Sequence, residues 1–204
     1  MAREIEAKIK VDNFERLRAR LDHLGAANEG DCLERNWVLD DAEGNLRKSD
    51  TLLRVRNNGG VDGILTVKRR ISGGEFKTRE EVESMVDSTD DLLQQLEMIG
   101  YKATWIYEKI RQTWLWRDCV VTLDELPELG CYVEIEGTPE KIRGVASELG
   151  LDADQHIDDN YLGLWIKHLE SRGEDHRNMI FPADAAHRKR ATTTIVQRKD
   201  ANND

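Results

Sequence analysis

Residues 3 to 10 read REIEAKIK. Side chains alternate across an extended strand, so Glu4, Glu6, Lys8 and Lys10 share one face and Arg3, Ile5, Ala7 and Ile9 share the other. The same division of charge from apolar side chains recurs along the chain. Arg54 and Arg56 alternate with Leu53 and Val55, and Thr66, Lys68 and Arg70 with Leu65 and Val67. Arg79, Glu81 and Glu83 are in phase, as are Lys109, Arg111 and Thr113, then Thr122 and Asp124, then Glu134 and Glu136 against Val133 and Ile135. Eight strand-like runs are predicted, at about 3–10, 33–40, 51–57, 63–70, 75–84, 105–116, 119–125 and 130–137, and seven of them carry charge on one face. Turn chemistry separates several of them: NNGGVDG at 57–63, SGG at 72–74, RD at 117–118 and LPELG at 126–130.

Four amphipathic helices interrupt the strands. One starts at Asp12 with Glu15 three residues on, a capping-box spacing, and presents Phe14, Leu17, Leu21 and Leu24 before Gly25. A second carries Leu92, Leu93, Leu96 and Ile99 up to Gly100. A third opens Thr138-Pro139, an N-cap with proline at the first helical position, and carries Ile142, Val145, Ala146 and Leu149. The fourth, over about 159–171, presents Tyr161, Leu164, Trp165 and Leu169. The order is a strand, a helix and three strands, given twice, with the last helix appended. EIE (4–6), EVE (81–83) and EIE (134–136) each close a strand that leads into a helix.

The helices decide what the sheet can do with its charges. A closed barrel with apolar rows inside would leave the helices no apolar surface to dock on. If the apolar rows face outward, the helices cover them and the charges line the interior. An open sheet with helices on one face and charges in water on the other also satisfies the pattern. The interior arrangement has an electrostatic cost, because two like charges about 4 Å apart repel by roughly 4 kcal/mol at an effective dielectric near 20. A multiply charged ligand would offset it. Arginine forks suit phosphate and clustered carboxylates suit Mg²⁺ or Mn²⁺, so a polyphosphate bridged to metal would engage both sets.

The chain has 204 residues and is 39% hydrophobic, which suits one domain. Its net charge of -10 argues against sequence-independent nucleic-acid or membrane-surface binding. No stretch is apolar enough to span a bilayer and the N-terminus is too polar for a signal peptide, so a cytoplasmic location is expected. The three cysteines, Cys32, Cys119 and Cys131, have neither disulfide-framework nor zinc spacing, and the five histidines are scattered. From about Ser171 onward the chain is polar, including HRKR (187–190) and DANND (200–204). The expected division is a domain over 1–170 and a disordered tail over 171–204.

Glu4-Ile5-Glu6-Ala7-Lys8 forms an ExExK signature. Together with LLRVR (52–56), TVKR (66–69), REEVE (79–83), EKIR (108–111), LDE (123–125) and VEIEG (133–137), it resembles the CYTH, or triphosphate tunnel metalloenzyme, family from residue 3 to about 170. The resemblance implies an α+β fold: an eight-stranded antiparallel closed β-barrel, or tunnel, with a polar charged interior and helices packed outside. It implies that Lys8, Arg54, Arg56, Lys68, Arg79, Lys109 and Arg111 bind phosphate. It also implies that Glu4, Glu6, Glu134 and Glu136 are the main metal-side acids, supported by Glu81, Glu83 and Asp124, with Mg²⁺ or Mn²⁺ as cofactor. Glu4, Glu6 and Lys8 are the expected catalytic residues.

The implied partner is a small triphosphate, with room for a homodimer and no nucleic acid or membrane. The implied activities are triphosphate hydrolysis and, alternatively, adenylyl cyclisation; a non-catalytic polyphosphate-binding module has no need of so many carboxylates. The family's closing SYxELL segment stands here as NYLGLW, with Asn160 and Gly163 at the serine and glutamate positions. Val38 stands where members specialised for thiamine triphosphate carry tyrosine, and the His-Phe pair often found upstream of ExExK in the bacterial cyclase branch is missing.

Overall fold

A computed structural model describes residues 2–71 and 74–183. Its strands are β1 (Ala2–Val11), β2 (Ala27–Asp40), β3 (Thr51–Asn57), β4 (Gly63–Arg70), β5 (Lys77–Val86), β6 (Lys102–Trp116), β7 (Cys119–Leu126) and β8 (Gly130–Glu136). Its helices are α1 (Glu15–Leu24), α2 (Asn45–Lys48), α3 (Thr89–Met98), α4 (Pro139–Glu148) and α5 (Tyr161–Arg172). All strand pairs are antiparallel, and the ladder order β1-β5-β4-β3-β2-β6-β7-β8 returns to β1. An open sheet would leave two edges unpaired; this ring leaves none, so the open-sheet alternative is excluded.

The apolar rows face outward and meet the helices. Leu17 and Leu21 of α1, with Ile142, Val145 and Ala146 of α4, pack on Ala7, Trp114, Val121, Leu123, Val133 and Ile135. Leu92, Leu93 and Leu96 of α3 pack on Leu39, Leu53, Val55 and Leu65. Tyr161, Trp165 and Leu169 of α5 join Val38, Tyr107, Leu126, Leu129 and Tyr132 in a third cluster. Val38 and Tyr132 belong to the inner rows, so α5 closes over part of the ring's interior. Among the described residues no helix is long and apolar enough to cross a membrane.

Several local expectations are corrected. The capping box at Asp12 does not form. Phe14 is the N-cap residue, makes no side-chain cap and is buried among the α1 and α4 side chains, while Asn13 Oδ1 accepts the Glu15 N–H at 3.1 Å. Burial of an aromatic ring outweighs a cap there, since such caps contribute only about 1 kcal/mol. The short helix α2 was not expected; the Asp40 carboxylate accepts the Leu46 and Arg47 N–H groups at its start. β2 begins at Ala27 rather than near 33, running through Asn28, Gly30 and Asp31, which read as turn formers. Gly30, at φ 91°, sits where the β2–β6 register shifts, a position that favours glycine. The Arg117-Asp118 turn adopts positive φ at both residues, as a two-residue hairpin requires. The expected SGG turn includes Ser72 and Gly73, which lie outside the described residues.

The chain stays packed on the ring past residue 170. α5 runs to Arg172, and the chain then turns back along β6. There the Glu108 N–H donates to Met179 O at 2.8 Å and the Met179 N–H to Ile106 O at 3.1 Å. β7 pairs with β6 only from Ile110 onward, so this strap occupies a β6 edge that β7 leaves free. Met179 and Phe181 are buried, and Trp165 Nε1 donates to Arg177 O. The apolar anchors are too widely spaced to show as a periodic pattern in sequence. HRKR and DANND lie outside the described residues. A chain ending at Gly173 is expected to lose about 2 kcal/mol of stability or more, the usual cost of emptying a buried Met or Phe site; thermal and urea melts against the full chain check this.

Candidate active site

Every residue of the expected site set except Asp124 lines one cavity of about 250 Å³ inside the ring. β1 supplies Glu4, Glu6 and Lys8; β3 supplies Arg54 and Arg56; β4 supplies Lys68; β5 supplies Arg79, Glu81 and Glu83; β6 supplies Lys109 and Arg111; and β8 supplies Glu134 and Glu136. Antiparallel register brings them together, because directly paired residues point to the same face. Lys8 pairs with Glu134, Lys68 with Glu81, and Arg111 with Asp124.

Asp124 lies behind the cavity wall, fully buried. Arg111 grips it with two donors, Nε to Oδ1 at 2.7 Å and Nη2 to Oδ2 at 2.6 Å, while Lys109 Nζ and the Tyr161 hydroxyl donate to Oδ2 at 3.1 and 2.9 Å. Its oxygens are committed to orienting these cations.

The structure adds residues that the sequence pattern missed. Glu34, on β2, is 3% exposed and faces Lys109 at 3.3 Å and Arg56 at 3.6 Å. Burial works against its charge, but Lys109, Arg111, Arg56 and Arg54 outweigh it and hold the carboxyl down at about 2. Lys77, on β5, lines the cavity and donates to Glu6. Tyr107 lies against Arg54 at 3.5 Å. Asn36 sits on β2 between Arg56 and Tyr107 in register, fully buried, with no hydrogen-bond partner for either amide atom among the described residues. A strict ExE or RxR pattern singles out none of these; the alternation of β2 and the position of Lys77 two residues before Arg79 are the signals that would have done so.

The interior cations are paired with acids. Lys68 bridges Glu4 at 2.8 Å and Glu81 at 3.0 Å. Arg54 and Arg56 share Glu83 at 3.5 and 3.4 Å. Arg79 reaches Asp50 at 3.4 Å. Lys8, 2% exposed, lies 3.1 Å from Glu134 and 4.4 Å above the Tyr161 ring. Burial opposes its charge, but Glu134 and Glu6 push its pKa above the ordinary lysine value. Burial likewise opposes the charge of Glu134, and Lys8 and Arg111 hold it well below the usual range.

Glu136 differs. Burial, then Glu4, and further Glu81 and Glu6, raise its carboxyl to about 7 against only Lys68. Glu4, Glu81 and Glu136 therefore form a locally acid-rich corner, chemistry that fits a hard divalent cation. Among the described residues no three His, Cys, Asp or Glu side chains already stand in metal-binding geometry, and Lys68 lies between two of these acids.

A family model for the CYTH domain matches residues 2–151. The chain belongs to the CYTH domain family. A Methanocaldococcus jannaschii protein named "Putative adenylate cyclase" is 24% identical over 171 residues, covering 79% of this chain and 97% of its own. A Pyrococcus horikoshii protein of known structure aligns at a TM-score of 0.66 with 25% identity, covering 78% of this chain and 97% of that one. A Hippeastrum structure, described as a putative adenylyl cyclase with a dominant triphosphatase activity, aligns at a TM-score of 0.60 with 18% identity over 86% of this chain and 98% of its own.

The Glu136 environment sets a pH dependence. Its pKa is higher in the fold than the ordinary 4.5, so folding favours the neutral acid. This penalty is absent below about pH 4.5, grows as pH rises towards 7, and is constant above. Glu136→Gln is expected to melt like the ligand-free parent near pH 4.5 and higher than the parent at pH 8; paired thermal melts at the two pH values check this.

Proposed function

We propose that this CYTH protein is a divalent-metal-dependent enzyme that hydrolyses triphosphates, inorganic triphosphate or a nucleoside triphosphate, inside its charged ring. The observation that carries this reading is the convergence of eight cations on one cavity that six carboxylates share. A singly charged ligand has no use for so many donors. A triphosphate has many anionic oxygens, and its transferred phosphoryl spreads charge over three of them in the transition state.

Arg54, Arg56, Lys109 and Arg111 would grip those oxygens in the position where charge develops. Asp124 and Glu34 fix Lys109 and Arg111 before substrate arrives, so little reorganisation remains for the chemical step. Tyr161 closes the cavity above Lys8 and Lys109, limiting bulk water. Glu4, Glu81 and Glu136 would hold Mg²⁺ or Mn²⁺, with Glu6 and Glu134 beside them; when bound, the metal supplies charge neutralisation and activates water. The Hippeastrum relative's dominant triphosphatase activity supports the hydrolytic reading.

A second reading, cyclisation of ATP to cyclic AMP and pyrophosphate, is favoured by one feature. A second cavity of about 260 Å³ adjoins the first, shares Val38, Leu52, Arg79, Asn160 and Leu162 with it, and adds Trp105 and Thr104. It offers room for a nucleoside next to the phosphates. The name of the Methanocaldococcus relative agrees with this reading.

Incubation of purified protein with tripolyphosphate or ATP and Mg²⁺ or Mn²⁺, followed by ³¹P NMR, separates the two. Orthophosphate from both substrates supports hydrolysis; cyclic AMP and pyrophosphate from ATP support the cyclase; no turnover of either removes the enzymatic reading. Arg54→Ala and Glu4→Gln are each expected to lower the rate by about a hundredfold, the usual effect of losing one transition-state partner, with the fold retained by circular dichroism. A rate within threefold of the parent removes that residue from the machinery.

A further inference from the structure

We infer that Lys77 is a substrate-binding residue that leaves Glu6 for a phosphoryl oxygen when a triphosphate enters the cavity. The inference rests on the proposed function and deepens it, adding a residue outside the recognised motifs.

The chain builds Lys77 into the site. Phe76, 4% exposed, is packed into the outer core beside α4, with its ring 5.2 Å from His156 in an edge-on arrangement. One residue later the alternation of β5 turns Lys77 inward, in register with Glu6 of β1. Its side chain is 10% exposed and lines the cavity. The outer anchor thus fixes where the inner ammonium lies.

The partner arrangement is unbalanced. Lys77 Nζ and Lys8 Nζ both approach the same oxygen, Glu6 Oε1, Lys8 at 3.7 Å. Lys8 has a second acid in Glu134 at 3.1 Å, whereas Glu6 is the one carboxylate paired with Lys77 among the described contacts. Two ammonium groups on one carboxylate oxygen repel each other. An anion entering between them gives each cation a partner and removes that repulsion. Lysine suits such an exchange, because its ammonium is a point charge on a flexible stem and needs no bidentate geometry. It also frees Glu6 for the metal side of the site.

Calorimetric titration with tripolyphosphate in EDTA tests the inference without turnover. Lys77→Met is expected to weaken binding about tenfold, the scale of one charge-assisted hydrogen bond, and Lys77→Arg to recover most of it. Lys77→Gln serves in place of Lys77→Met if that variant melts early. A purely structural Lys77, present only to neutralise Glu6, gives a different pattern. In that case Glu6→Gln would make Lys77 dispensable, and the double variant would bind as Glu6→Gln alone does. The inference requires the double variant to stay about tenfold weaker than Glu6→Gln. Equality of those two overturns it, as does parental affinity in Lys77→Met or no binding of tripolyphosphate to the metal-free parent. Hydrolysis is measured separately with metal, so an inactive parent that binds tripolyphosphate strikes the proposed function and leaves the Lys77 contact standing.

Discussion

Asp124 is the group on which the interior depends. It is fully buried, and its two oxygens accept from Lys109, Arg111 and Tyr161, so one carboxylate ties β6, β7 and α5 together. Breaking such a buried ion pair from one side costs about 3–5 kcal/mol, because the partner charges stay behind unpaired. Here two cations would be stranded instead of one. Arg111 also reaches Glu134, and Lys109 reaches Glu34, so the loss would pass to β8 and β2. The charged interior is a connected network, and its members are held in place by one another as much as by the backbone.

That network explains why the fold is inverted relative to a small apolar-filled barrel. Eight cations and six carboxylates line the cavity, and Glu34 and Asp124 stand behind it, so the interior is close to neutral when empty. The driving force for folding then lies outside the ring, where α1, α3 and α4 cover the apolar rows. The outer layer supplies most of the apolar burial, and the inner layer holds the charges in a paired network. A polyphosphate need not find bare charges. On the proposed function it would replace carboxylates one cation at a time, and release of Glu4 and Glu81 from Lys68 would leave them free beside Glu136. Anion and metal would therefore favour each other through this exchange.

The inner rows were legible because a period-two pattern of charge repeats in strand after strand, and four helices need somewhere apolar to dock. The direction those rows face was not legible from pattern alone, since an open sheet satisfies it equally; the β1–β5 and β1–β8 ladders decide it. Motif spacing identified Arg54, Lys68 and Glu134, yet it could not separate an acid that faces the cavity from one that stands behind it, as Asp124 does. Lys77 and Glu34 were missed because each is one charged residue among many in a chain that is 34% charged, and strand phase, the one signal that marks them, is weak beside the ExE and RxR motifs. The strap at 177–181 was missed for the opposite reason: two buried anchors, Met179 and Phe181, are too few to make a period.

The closing helix links these features to chemical choice. Asn160 caps α5 by accepting the Gly163 N–H at 2.7 Å, and the next residue, Tyr161, drops its hydroxyl onto Asp124. A glutamate at 163 would stand close to Asp159, whose carbonyl accepts from Lys8 and whose carboxylate lies 3.6 Å from the place a Cβ would occupy. Glycine there adds no further negative charge beside Asp159. Asn160 and Leu162 also line both the charged cavity and its neighbour. The helix cap, the aromatic lid over the lysines and the partition beside a nucleoside-sized space are thus three consecutive residues, 160 to 162. On the proposed function, that partition would set whether water or a ribose hydroxyl meets the phosphorus, because the cations behind it would serve either attack equally well.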